Sequence, residues 1–470
     1  MLNKDKRMNK KYALSIFIFR RDLRLQDNTA LNSALSQSKS VIPCFVFDPR
    51  QIDDVNKYKT NNAIQFMCES LSDLDEELHK RNSKLYLFYG TPEDIIKKLL
   101  ASKKIDALFI NRDYTPFSIK RDNALAKICT QHNIAFEQSG DALLHEPEDV
   151  LKKDGSHYSI FTAFYKKAVT VAIKEPEKLH AGHFFSEKLQ YTEPKSILQK
   201  MVSHKNKDLA CHGGIKEALK IVNDLEQLRN YKHDHDYPSI DTSHLSAHLK
   251  FGTISARQAY TAIIKQLGRS HPIIRQLYWR DFFTLIAYHV PTVFGHAYHK
   301  KYDKLEWNND KKLFKLWCTA QTGVPIVDAG MAELNATGFM HNRVRMIVAS
   351  FLVKDLHINW LWGERYFAQQ LVDYDPAINN GNWQWCASTG CDAQPYFRIF
   401  NPWLQQKNFD PECVYIKKWI PELDQYDSKV IHNWFKDSSP IIKNYPRPII
   451  DHTKESELTK HMYRSTSSKK

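Results

Sequence analysis

Short apolar runs, rich in β-branched and aromatic residues, alternate over the first third of the chain with stretches whose apolar residues recur at three and four. The runs Tyr12–Phe19, Val41–Asp48, Lys84–Tyr89 and Ala107–Asn111 predict strands, with a weaker fifth at Ile134–Glu137. Asn28–Leu35, Asn62–Leu78 and Pro92–Leu100 carry helical spacing between them. Strands separated by crossover helices pack as a parallel, Rossmann-like α/β sheet. Such sheets often hold a dinucleotide. Here RRDLRLQDN (20–28) follows the first strand in place of GxGxxG. The glycines that let a backbone approach pyrophosphate are missing, which disfavours a dinucleotide dehydrogenase.

Between Gly140 and Leu209 the pattern loses its period and predicts a long connector. Its YSIFTAFYKK stretch (158–167) offers aromatics expected to pack. From Ile215 helical spacing dominates. Ser255 and Gln258 form a capping box ahead of the helix Ala256–Leu267, Pro325 suits the first turn leading into Ile326–Leu334, and Arg343–Val353 is apolar at helical spacing. The expected organisation is an α/β domain over 12–140, a connector over 141–209, an all-α domain over 210–450, and a disordered tail over 451–470.

Composition changes this picture in three places. A net charge of +14 points to an anionic partner, because phosphate contacts supply most nucleic-acid affinity. The eight cysteines show no CxxC spacing, so neither zinc nor an iron–sulfur cluster is expected and free thiols are. All ten tryptophans lie after residue 278, compatible with a site that stacks a flat cofactor or bases. No apolar run approaches the ~20 residues of a membrane helix, and the basic N-terminus leads into a strand without a signal-peptide cleavage pattern.

Four stretches of the helical half are polar where a core should be apolar: DTSHLS (241–246), QLYWRDFF (276–283), GFMHNRVRM (338–346) and DYDPAINNGNWQW (373–385). The first offers hydroxyls ahead of a helix, a natural phosphate cradle. The last packs carboxylates, amides and two tryptophans into thirteen residues. Any one alone reads as a cap or turn.

Together they resemble the photolyase/cryptochrome flavoproteins, in particular class I-like cyclobutane-dimer photolyases. The likeness runs from FIFRRDLRLQDNTAL (17–31) to RIFNP (398–402) and is dense in TGxPxxDAGMxxL (322–334), HNRVRM (341–346) and NNGNWQWCASTG (379–390). It implies a non-covalent FAD in the helical domain and light-driven electron transfer from reduced FAD to a flipped-out pyrimidine dimer in UV-damaged DNA. Thr242, Ser243, His244, Leu245 and Ser246 match the FAD phosphate loop, with His244 where many relatives carry Arg, and Tyr231 matches an upstream contact. Asp373, Tyr374 and Asp375 match residues at the flavin and its ribityl, with Arg345 pairing Asp373, and Asn379 matches the residue opposite N5. An amide there donates a hydrogen bond without supplying a transferable proton. Trp383, Trp360 and Trp307 match an electron relay from the flavin outward.

Trp279 and Trp385 match the aromatic walls around the dimer, with Gln276, Phe283, Asn342 and Met346 beside it. Arg280, Arg343, Arg398 and Gln405 are expected at the DNA backbone or the bubble left behind. Gln276 stands where cyclobutane-dimer enzymes carry Glu and points toward (6-4) photoproducts. Asn342 and Met346 stand where (6-4) enzymes carry their histidine pair, and they outweigh it. The third alternative, a cryptochrome photoreceptor, is disfavoured by Asn379 and by a chain that ends soon after the helical half. An antenna chromophore is implied for the α/β domain. Folate is disfavoured because Phe117–Ser118 replaces its Asn-Glu pair, leaving a deazaflavin, a flavin or none. Neither a membrane, a metal nor an oligomer is expected. The compartment would be the cytoplasm of a bacterium or the nucleus of a eukaryote.

Overall fold

The computed structural model describes residues 10–202, 204–436, 438 and 442–468. Strands β1 (Tyr12–Phe19), β2 (Ser38–Phe47), β3 (Tyr86–Tyr89), β4 (Ala107–Asn111) and β5 (Ala135–Ser139) form one parallel sheet in the order β3-β2-β1-β4-β5. Helices α1 (Thr29–Gln37), α2 (Asn61–His79), α3 (Pro92–Ser102) and α4 (Pro116–Gln131) connect them. Phe17 and Phe19 join one core with Leu31 and Leu71, while Ile16 and Ile18 join another with Ile96 and Leu125. Both faces are covered, so the strands read as unbroken apolar runs. Strand β2 starts earlier than its apolar run predicts, because the Ser38 and Ser15 hydroxyls satisfy each other at 2.7 Å inside the sheet.

The strand order reverses between β1 and β4, where open α/β sheets usually bind ligands. Here the protein fills that crevice itself. Arg20 donates to Asp122 and to the Asn111 carbonyl, Arg21 lies 3.1 Å from Asp113, and the Asn111 amide donates to Asp22 and Asn28. RRDLRLQDN is thus a charged plug rather than a phosphate loop.

The connector carries helix α5 (Phe161–Ala168). Beyond it come α6 (Leu245–Phe251), α7 (Ile274–His289), α8 (Asn342–Ser350), α9 (Trp360–Gln370), α10 (Pro376–Cys386) and α11 (His452–Ser468). Both hydrogen bonds of the Ser255–Gln258 capping box are present, and Pro325 opens its helix. The expected run Arg343–Val353 divides into α8 and a π-helical turn over Phe351–Asp355. Arg257, between Asp27 at 3.0 Å and Asp141 at 2.9 Å, and Arg24, which donates to the Gly252 carbonyl at 3.2 Å, clasp the two halves. Among the described residues no helix is long and apolar enough to cross a membrane.

The expectation of a disordered tail is wrong: His452–Ser468 is a docked helix. Its anchors are few but well placed. Tyr463 is fully buried, donates to the Ala387 carbonyl at 2.5 Å and stacks on Tyr396 at 5.6 Å. His452 meets Asp355 at 2.5 Å, and Thr459 donates to the Lys354 carbonyl. Tyr463→Ala is therefore expected to cost about 3–5 kcal/mol, as for other large buried aromatics. The fall in denaturant midpoint measures it, and a loss within about 0.5 kcal/mol, as at ordinary surface sites, would contradict the docking.

Candidate functional site

Helix α10 begins at Asp375, whose Oδ1 accepts from the Ala377 and Ile378 amides at 3.1 and 3.4 Å. One turn in, Asn379 is buried and donates to the Glu364 carbonyl at 3.0 Å, tying α10 to α9. Glu364 is also buried, and its carboxylate accepts from Asn380 at 3.0 Å. Burial pushes the Glu364 carboxyl up to about 7, with the Asn380 hydrogen bond opposing.

Beside this floor lies the expected pair of Arg345 and Asp373. Arg345 holds Asp373 through both guanidinium nitrogens, at 3.2 and 2.9 Å, and its Nε donates to the Met340 carbonyl at 2.7 Å. The guanidinium also lies over the Phe339 ring at 5.1 Å. Phe339 in turn meets the His244 ring at 4.5 Å, so the 241–246 loop and the Arg345–Asp373 pair share one wall. His244 takes a left-handed backbone (φ 49°) ahead of α6, with its imidazole 3.5 Å from Cys211 Sγ. Burial pushes the Cys211 thiol up to about 12, so it stays protonated. Leu245 is buried beneath the loop, and Ser243 Oγ accepts from its amide at 3.4 Å. Tyr231 stacks on His235 next to Asp236, the partner of Arg343 at 2.5 Å. Tyr374 turns its ring toward the α/β half, stacked on Tyr58 at 6.3 Å.

The outer residues sort by exposure. Gln276, Asn342 and Arg398 are exposed, while Trp279, Met346 and Trp385 are half-buried. The Asn342 amide lies 3.8 Å from Met346 Sδ. Trp279 is backed by Phe161 of the connector, stacked at 3.6 Å and 6°.

Four expectations shift. Arg280 is turned away from a DNA-facing surface: it is 8% exposed and donates to the carbonyls of Ala142 and Leu249, because its position on α7 faces the start of the connector and α6. Phe283 lies behind the mouth, buried against Gly381, where any Cβ would come within 2.2 Å of its ring. Arg343 is committed to Asp236 and lies over Phe409 at 4.2 Å. Gln405 turns Oε1 inward, buried and without a hydrogen-bond partner.

Trp383 and Trp360 are buried in one core at 2% and 3% exposure, and Trp307 is partly buried against it. Trp383 fits only because residue 363 is glycine; a Cβ there would lie 2.1 Å from its ring. Its aromatic neighbours are Phe367 at 4.9 Å and the fully buried Trp317 at 6.3 Å. Trp362 packs aside on Phe314. Phe161 packs, as expected of its aromatic stretch, but its place behind Trp279 and the roles of Arg21, Trp317 and Glu364 are not visible in the sequence.

The donor set fits FAD. The Thr242 and Ser246 hydroxyls take no protein partner among the described residues, leaving donors for phosphate oxygens. Arg343 Nε is buried without a partner, and the Arg345–Asp373 pair and the Asn379 amide supply fixed polar contacts for a ring system.

A family model described as the FAD binding domain of DNA photolyase matches residues 273–465, and one described as DNA photolyase matches residues 15–180. The chain is 36% identical over 464 residues to the deoxyribodipyrimidine photo-lyase of Alkalihalophilus pseudofirmus, covering 93% of this chain and 95% of that one. Among solved structures, the archaeal photolyase of Sulfolobus tokodaii with two FAD molecules superposes with a TM-score of 0.87 at 44% identity, covering 96% of this chain and 100% of that one. The cryptochrome of Synechocystis superposes with a TM-score of 0.88 at 28% identity, covering 97% and 100%.

Proposed function

We propose, from the premise that this chain belongs to the DNA photolyase family, that it is a light-dependent lyase splitting cyclobutane pyrimidine dimers in DNA. The observation that carries the reading is the order of residues along α10. Asp375 caps it, buried Asn379 and Trp383 follow, and half-buried Trp385 ends it at the surface. Bound FAD, reduced and excited by light, supplies the electron; the protein supplies position and field.

In this reading Arg345 and Asp373 hold each other beside the flavin, and Asn379, anchored to α9 by one N–H, keeps the other for the ring edge. The Thr242, Ser243 and Ser246 hydroxyls meet the phosphates. Trp279, stiffened from behind by Phe161, and Trp385 take the flat faces of a flipped dimer, with Gln276, Asn342 and Met346 at its edges. Base flipping, the route photolyases share with other base-modifying enzymes, costs least at a lesion that already pairs poorly. The +14 charge draws the phosphate backbone, and UV-damaged DNA is the one macromolecular partner of a monomeric enzyme.

Fold alone does not separate repair from photoreception, since the Synechocystis cryptochrome shares it. Repair does. Purified protein with reduced FAD under blue light is expected to restore oligonucleotides carrying a cyclobutane dimer and to leave (6-4) lesions untouched. Repair of neither overturns the enzyme reading, and repair of the (6-4) lesion alone makes Gln276 the better guide. Gln276→Glu places a carboxyl at the lesion edge, where a developing radical anion can be met by a hydrogen-bonding acid, so cyclobutane repair should run at least as fast as in wild type, most clearly below neutral pH. A slower rate contradicts the role given to this position.

A further inference from the structure

Arg21 leaves the plug at the end of the sheet and reaches into the helical half. Its guanidinium contacts the Asp375 carboxylate, lies 3.1 Å from Asp113 Oδ1, and donates from Nε to the Lys250 carbonyl at 3.2 Å. One side chain thus joins the loop after β1, the segment following β4, the last turn of α6 and the N-cap of α10. The three charged groups are largely out of water, with side-chain exposures of 16% for Arg21, 12% for Asp113 and 3% for Asp375.

The Asp375 carboxylate is divided between two tasks. Oδ1 caps α10 through the Ala377 and Ile378 amides, and Oδ2 takes Arg21. That division fixes the plane of the carboxylate and the angle at which α10 starts. Asn379 follows one turn later and Trp383 two turns later. The anchor on the other side is rigid as well: Asp113 accepts from the Tyr114 amide at 2.8 Å and from the Ser118 hydroxyl at 2.9 Å.

We propose that Arg21, a residue of the α/β half, is a positioning residue of the flavin site, acting through Asp375 to set the start of α10 and the place of Asn379. The proposal rests on the reading of Asn379 as a flavin contact. Two features separate it from a clasp that merely holds the halves together. The halves are clasped elsewhere by Arg257 with Asp27 and by Arg24 with the Gly252 carbonyl, so the fold does not depend on Arg21 for its docking. And serving two carboxylates and a carbonyl at once requires a planar fork of donors, which a lysine does not have. Without that fork, Asp113 and Asp375 share only the nearby Lys250 cation, and Asp375 loses the hydrogen-bonded partner that holds its orientation.

The test uses the full chain with Arg21→Met, Arg21→Lys and, as reference, Asn379→Ala. The readouts are FAD affinity, from the fluorescence of released flavin, the visible band shape of the bound FAD, and melting of the fold by circular dichroism. Arg21→Met is expected to bind FAD at least about tenfold more weakly and to alter the band shape, with partial recovery in Arg21→Lys, as breaking a shared buried ion pair dictates. An altered spectrum in Asn379→Ala beside wild-type affinity and spectrum in Arg21→Met overturns the proposal and leaves the flavin site standing. A merely lower melting point in Arg21→Met, with its flavin unchanged, overturns it equally. An unchanged spectrum in Asn379→Ala overturns the flavin-site reading itself. Should Arg21→Met fail to fold, Arg21→Lys carries the test, and a wild-type affinity and spectrum there sinks the proposal.

Discussion

Trp383→Phe is expected to abolish light-driven reduction of bound oxidised FAD, while protein whose flavin has been reduced with dithionite still repairs cyclobutane dimers. Trp383 sits four residues after Asn379 on α10, so the two share a helix face. A phenyl ring gives up an electron far less readily than an indole. Each 1.36 kcal/mol of added barrier is about tenfold in rate, so a loss of at least about 10²-fold needs only ~3 kcal/mol. In the relay proposed here Trp383, which shares its core with Trp360 and Trp307, is the common first step of two routes. One continues to Trp360 and Trp307, as the family likeness implies; the other could leave through Trp317, whose ring centroid is 6.3 Å away. Replacing Trp383 removes both. Trp360→Phe and Trp317→Phe separate them, and transient absorption of the bound flavin reads the result. Wild-type photoreduction in Trp383→Phe would remove this residue from the relay. Repair lost along with photoreduction, in protein already reduced, would assign it to packing of the flavin pocket instead.

What could be read along the chain depended on how local its cause was. The strands were visible because a parallel sheet covered on both faces needs continuous apolar runs, as in Ile16–Phe19. The Ser255–Gln258 box was visible because both its hydrogen bonds close within four residues. Helix α11 was not, since its anchors Tyr463, His452 and Thr459 find their partners at Ala387, Asp355 and Lys354, which lie 76, 97 and 105 positions back. Between those anchors its sequence is as polar as any solvated tail. Arg280 failed for a related reason. A charge beside Gln276 and Trp279 suggests the DNA side, but the connector and α6 packed against α7 decide which of its faces is wet. Arg21 is the extreme case. Its motif was plain, but its partner Asp375 lies 354 positions away, and no local pattern announces a contact across two domains.

Arg345→Met is expected to release FAD and destabilise the fold together, because it strands a buried carboxylate. Asp373 is 4% exposed at its side chain and receives both arms of Arg345, at 3.2 and 2.9 Å, whereas Arg345 is 24% exposed. Breaking such a pair from one side typically costs about 3–5 kcal/mol, because the remaining charge keeps its desolvation penalty and loses its partner. If half or more of that loss falls on the flavin-loaded state, FAD affinity drops by about tenfold to several thousandfold. Arg345→Lys keeps the charge but loses the fork, and should fall between. The double variant Arg345→Met with Asp373→Asn removes the stranded charge, so it should melt closer to wild type than Arg345→Met alone. Its FAD affinity should nonetheless stay low, since the fixed carboxylate is gone. That split between recovered stability and unrecovered binding is what a flavin contact predicts and a purely structural pair does not. Recovery of both in the double variant would place Asp373 outside the flavin site, and wild-type FAD loading in Arg345→Met would remove the pair from it altogether.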